Sequence, residues 1–177
     1  AGVAPEEKTP VNAVAGSGTL TVAGGGNKIL NTNTVTINTK TYTFKTTLTP
    51  TEGEVLIGAN DTAALLNLKN AINHTGTPDT DYKCAAVHPT VTGTSSDATT
   101  LVVTAKTKGV AGNSIATTET EAGTDKAWGH DHLEGGIDGT VGYANETCAD
   151  ATYLYHAVAA NTIADANWRR IALGSAY

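Results

Sequence analysis

The chain has 177 residues, enough to bury a core without disulfide staples. Its formal charge is −6 and its longest basic run is Arg169-Arg170, a balance that argues against a phosphate-backbone partner. No apolar run approaches the ~20 residues of a membrane-spanning helix, and no basic n-region followed by an apolar h-region reads as a signal peptide.

Threonine occurs 32 times, while there is one Phe, two Trp and no Met, so the core must come from Val, Ile, Leu and Ala. Thr is β-branched and favours strands whose hydroxyl face meets water. Such a Thr-rich, Lys-poor surface is typical of extracellular or virion β proteins. Residues 1–15, AGVAPEEKTPVNAVA, read as an extended arm. Pro5 and Pro10 forbid a continuous helix, and Glu6, Glu7 and Lys8 keep the segment solvated. Residues 19–23, TLTVA, predict a strand closed by Gly24-Gly25-Gly26-Asn27. Residues 34–45, TVTINTKTYTFK, alternate with period two. Val35, Ile37, Tyr42 and Phe44 take one face, and Thr34, Thr36, Thr41 and Thr43 the other. This is the pattern of a half-buried hairpin, with its turn at Asn38-Thr39.

Val55-Leu56-Ile57 predicts a short strand. One amphipathic helix follows over residues 62–73, capped by Asn60 or Asp61, with Leu65, Leu68, Ala71 and Ile72 on one face. His74, Gly76 and Pro78 end it. Further strands are expected at residues 84–87, 100–105 and 114–118, and the Gly-rich segment 128–139, WGHDHLEGGIDG, reads as a boundary. Beyond it, residues 141–143, 152–158 and 168–173 predict strands, and Tyr153, Tyr155 and Trp168 concentrate the aromatics. The expected fold is α+β, mainly β: an antiparallel sheet with one packed helix, plus a small C-terminal β module. The expected organisation is an arm at 1–15, a core domain at 16–139 with its helix at about 61–73, and the module at 140–177. A module that short folds poorly alone, which favours docking.

Chemistry-bearing constellations are sparse. Cys84 and Cys148 read as two buried thiols of a protein folded in a reducing cytoplasm, with a disulfide between them as the alternative. His130-Asp131-His132 with Glu134 is the one metal-like cluster; on a strand the two imidazoles share a face. It lacks an HExxH or a remote ligand pair and reads as a solvated loop, so neither a metal nor a cofactor is expected. Gly24-Gly25-Gly26 and Gly135-Gly136 lack the strand–loop–helix context of a phosphate cradle. No GxSxG or paired-carboxylate spacing appears, and no enzyme activity is expected. Tyr153, Tyr155 and Trp168 read as the core of the small module, with a sugar-binding platform as the alternative.

The stretch TVTINTKTYTFKTTLT, followed by EVLIGANDTAALLNLKNAIN, resembles a module of tailed-phage structural proteins with the pattern VTINGKTYTF, a short loop and a capped helix ending AIN. LVVTAKTKGVAGNSIATTET and LEGGIDG are similar to later parts of the same module, so the resemblance spans residues 16–139. VGYANETCADATYLYHAVAANTIADANWRRIAL resembles a second phage-type motif, and TPVNAVA an opening seen ahead of such modules. The chain departs from the pattern at the turn, which has Asn-Thr for Asn-Gly, and at His130-Asp131-His132, which replaces a plainer segment.

The resemblance implies a non-enzymatic virion structural protein, foremost a capsid decoration (cement) protein that binds the outer capsid surface and stabilises the shell. Its expected partners are the major capsid protein and copies of itself as a dimer or trimer, with neither nucleic acid nor membrane. It would be made in the bacterial host cytoplasm and carried on the outside of the virion. The candidate partner-binding residues are Val3, Pro5, Pro10 and Val11 of the arm and Tyr153, Tyr155 and Trp168 of the module. A phage tail or fibre component engaged in host attachment, or a cell-surface carbohydrate-binding module, are the alternatives.

Overall fold

The computed structural model describes residues 11–24, 27–120, 125–139, 147–149, 153–157 and 168–172. The chain divides into a larger unit, residues 15–136, and a smaller one made of residues 1–14 and 137–177. Along the larger unit run β1 (Ala15–Val22), β2 (Thr34–Ile37), β3 (Lys40–Lys45), β4 (Glu54–Leu56), α1 (Asp61–Asn73), β5 (Tyr82–Lys83), β6 (Val91–Ser96), β7 (Thr100–Lys108), a 3-10 turn (Val110–Ser114), β8 (Thr117–Glu119) and β9 (Lys126–Trp128). They build a four-stranded sheet in the order β6-β7-β1-β9 and a five-stranded sheet in the order β5-β4-β3-β2-β8. The inward side chains of both sheets and the buried face of α1 form one apolar cluster. The fold is thus mainly β with one packed helix. The paired strands are antiparallel except β3 and β4, which run parallel with Phe44 opposite Val55.

The hairpin follows from its alternation. Val35, Ile37, Tyr42 and Phe44 are fully buried, while Thr36 and Thr41 pair across the strands on the other face, hydroxyl to hydroxyl, at 2.8 Å. At the turn Asn38 adopts φ +54°, the left-handed region that Asn tolerates. Thr39 keeps a negative φ, which is why a β-branched residue is accepted there.

Of the two candidate caps, Asn60 is the one used. It is extended, and its Oδ1 accepts the Ala63 N–H at 2.9 Å. Asp61 opens the helix and binds elsewhere, its carboxylate accepting the backbone N–H groups of Lys28 and Ile29 at 2.9–3.0 Å. Ala64, Leu65, Leu68, Ala71 and Ile72 recur at helical spacing and pack on β4, β5, β6 and β7, reaching both sheets. Each of the larger side chains contributes about 1.5–3 kcal/mol by leaving water. His74 ends the helix in the left-handed conformation at φ 52°. Asn60→Ala is expected to cost about 1 kcal/mol, read as a lower urea midpoint at unchanged m-value.

Several expectations need correction. Residues 84–87 form no strand; the strand there is the shorter β5, and the following chain crosses to β6 through His88 and Pro89. The strand β6, VTGTSS, is absent from the sequence reading because Gly93 interrupts its pattern. Gly93 sits there because α1 passes so close that a Cβ would lie 2.9 Å from Lys69 Cγ. Residues 114–118 split between the end of the 3-10 turn and the start of β8. The Gly-rich segment 128–139 is no boundary at its start: Trp128 belongs to β9 and Leu133 is fully buried. The Asn113 side-chain amide also bonds Gly136 through both N–H (2.7 Å) and C=O (3.0 Å). The division between units comes after Gly136. At the other end, Ala15 already opens β1.

In the smaller unit Val14 and Ile137 exchange two backbone hydrogen bonds, at 2.8 and 3.1 Å. A three-stranded antiparallel sheet follows the order β10-β11-β12, from β10 (Thr147–Ala149), β11 (Tyr153–Ala157) and β12 (Trp168–Ala172). The strand expected at residues 141–143 lies outside the described residues.

Candidate functional site

The carboxylates of Glu54, Asp61 and Asp97 in the larger unit are consumed by the fold. Glu54 is 3% exposed and accepts the Thr49 N–H (2.5 Å) and the Thr49 hydroxyl (2.9 Å), closing the loop between β3 and β4. Burial pushes its pKa up, but the two Thr49 bonds and the nearby Lys45 and Lys83 outweigh it and hold the carboxyl below its ordinary range. Asp97 shapes the β6–β7 turn by accepting the Thr99 and Thr100 N–H groups at 2.8 and 2.7 Å, which lowers its pKa. Cys84 is a free, buried thiol whose pKa is raised by burial; the side chain of Cys148 lies outside the described residues.

A cleft of about 480 Å³ lies between Pro50–Glu52 and the 74–85 segment. Its charged groups are already engaged: Lys83 with Asp79 at 2.8 Å, and Glu52 with Lys40 at 3.3 Å and with the Ala85 N–H at 2.9 Å. The His130–Glu134 cluster is exposed. His130 Nδ1 meets Glu134 Oε1 at 3.0 Å, and His132 Nδ1 bonds Asp131. No group of three or more His, Cys, Asp or Glu residues is arranged to hold a metal ion among the described residues.

The edge strands of the larger unit have some of their outward backbone groups tied up within the fold. At β6 the Asn73 amide donates to Gly93 C=O and accepts the Gly93 N–H, both at 2.8 Å, and His88 Nδ1 accepts the Val91 N–H. At β5 the Asp79 N–H bonds Tyr82 C=O at 2.9 Å. At β8 the Thr117 N–H goes to Asp131 C=O at 2.8 Å, and at β9 the Trp128 N–H goes to the Glu119 carboxylate, whose pKa burial nevertheless raises. These bonds reduce the template for strand addition at those positions.

Exposed apolar side chains gather instead in the smaller unit. It holds Val11, Val14, Ile137, Leu154 and Ile171, five of the nine large hydrophobics exposed among the described residues. Leu154 and Ile171 are direct cross-strand partners, 36% and 64% exposed, on one face of the small sheet. Of the candidate partner-binding residues, Val11 is 53% exposed, and Val3, Pro5 and Pro10 lie outside the described residues. Tyr153 and Tyr155 fall on β11, in register with Ala172 and Arg170; Trp168 opens β12 opposite Ala157. Alternation assigns these three positions to one face and positions 154 and 171 to the other. The aromatics stand out in the sequence, while the same alternation also carries Leu154 and Ile171.

No family model, no curated protein and no solved structure matches this chain.

Proposed function

We propose that the chain is a non-enzymatic structural protein of a tailed-phage virion, a capsid decoration protein that docks through its smaller unit. The observation that carries this reading is the segregation of surface. Exposed Val11, Val14, Ile137, Leu154 and Ile171 lie in the smaller unit, whose size makes a core of its own marginal. The larger unit, by contrast, ties up part of the backbone of its edge strands within its own fold. Support also comes from the resemblance of residues 16–139 to a phage module, whose quoted segments hold the hairpin and α1 of the larger unit. The mechanism is binding without chemistry. Many copies, each making modest apolar contacts to the major capsid protein and to one another, sum by symmetry to a strong clamp on the shell.

Cryo-electron microscopy of the intact particle tests this. The expected result is density for the chain on the outer capsid face, with residues 137–177 turned toward the shell. Density on the tail or a fibre overturns the decoration reading and favours host attachment.

A further inference from the structure

The chain between β5 and β6 carries a feature that decoration does not require. In residues 84–89 only Cys84 and His88 are buried, while Ala85, Ala86, Val87 and Pro89 face solvent. The segment is therefore a strap held at two points. Its middle is tied lightly, by the Ala85 N–H to Glu52 at 2.9 Å and by Lys40 Nζ to Ala86 C=O at 3.3 Å.

His88 does most of the holding. Its ring is fully buried and stacks on Tyr42, with centroids 6.2 Å apart and planes at 29°. Nε2 lies 3.2 Å from Ile37 C=O at the end of β2. Nδ1 accepts the N–H groups of Thr90 at 3.2 Å and Val91 at 3.3 Å, at the start of β6. This pattern fits one neutral tautomer, with the proton on Nε2 donated to Ile37. The backbone of the same residue donates to Ile72 C=O in the last turn of α1 at 2.8 Å and accepts from Lys106 Nζ on β7 at 2.5 Å. One residue thus joins β2, β3, α1, β6 and β7.

We infer that residues 84–91 form an acid-released strap, locked by neutral His88 and freed when its Nδ1 takes up a proton from solvent. A proton on Nδ1 turns an acceptor into a donor that faces two N–H groups, breaking both bonds to β6. The charges acting on the ring are Lys40 from β3, itself paired with Glu52, and Lys106 from β7. Both are cationic and repel a second charge in a site that is already desolvated. Burial first, and these two lysines after it, hold the imidazole pKa below its ordinary value despite the Ile37 bond. The sign follows. The locked state resists protonation and the released state does not, so the lock is complete above the released-state pKa of 6.5 and weakens as pH falls below it.

Cys84, at the buried start of the strap, serves as a reporter. The full chain is labelled with dithiodipyridine, Cys84 is followed by peptide mass mapping, and each rate is divided by that of the denatured chain at the same pH. Amide hydrogen exchange, corrected for its intrinsic rate, follows Thr90 and Val91 in parallel. Lowering the pH from about 7.5 to about 5.5 should accelerate both by about tenfold, while the amides of β1 and β7 stay protected. Unchanged corrected rates overturn the proposal, and so does simultaneous exchange of β1 and β7, which would make the event global unfolding. Lys106→Met separates titration from packing. With one repelling cation gone, the acceleration should level off at a higher pH than in the parent chain. A levelling-off pH that stays put or falls overturns the assignment to His88.

Discussion

Asp61→Ala is expected to destabilise the larger unit by about 3 kcal/mol. The carboxylate is 7% exposed, and both its oxygens are in use: Oδ1 accepts from Lys28 N and Ile29 N, Oδ2 from Lys28 N again. These bonds pin the loop between β1 and β2 and place Ile29, 1% exposed, in the core. The anion also sits in the first turn of α1, where the helix dipole favours it. Alanine leaves two N–H donors without a partner, each costing about 1–3 kcal/mol when buried, and removes the charge at the helix start. Asp61→Asn keeps one acceptor oxygen in place and should cost about 1 kcal/mol. Urea unfolding at constant m-value measures both. A loss below about 1 kcal/mol for the alanine variant would mean that water satisfies the loop and that Asp61 does not clamp it.

The helix and hairpin were legible because local pattern and tertiary demand agree there. Leu65, Leu68, Ala71 and Ile72 repeat at helical spacing and are all buried; Val35, Ile37, Tyr42 and Phe44 alternate and are all buried. What escaped the sequence was set by partners distant along the chain. The first half of β1 is Ala-Gly-Ser-Gly, which has no strand propensity of its own and is recruited by pairing with β7. β6 is interrupted by Gly93, a residue chosen by the approach of α1 and secured by the Asn73 amide. The apolar run Val55-Leu56-Ile57 announces a strand, yet nothing local says that it pairs parallel to β3.

The candidate docking surface was legible only in part. The aromatics Tyr153, Tyr155 and Trp168 mark β11 and β12, the strands that also carry Leu154 and Ile171. Leu154 and Ile171 come together because register sets them opposite each other, and register is not written in either strand alone. Asp61 illustrates the same limit at the level of one side chain. As a capping candidate it was equivalent to Asn60, and only the fold, by bringing Lys28 and Ile29 within reach, separates their roles.

Phe44→Ala should cost about 3–5 kcal/mol, and Tyr42→Phe should cost nothing or stabilise the protein. The two residues stand on the same face of β3, both fully buried, two positions apart. Phe44 lies opposite Val55 across the parallel pair, and Val55 lies opposite Tyr82, so one row of apolar contact crosses three strands. Truncating Phe44 opens a cavity in the middle of that row, where close-packed neighbours collapse only partly. Tyr42 fills the adjacent position, but its hydroxyl is buried without a hydrogen-bond partner, and burial drives its pKa far above the ordinary value. Removing that oxygen keeps the ring and its stacking on His88 and relieves an unmet desolvation penalty. Urea unfolding of the two variants beside the parent chain decides the matter. If Tyr42→Phe costs more than about 1 kcal/mol, its hydroxyl is bonded in solution, for example to an internal water.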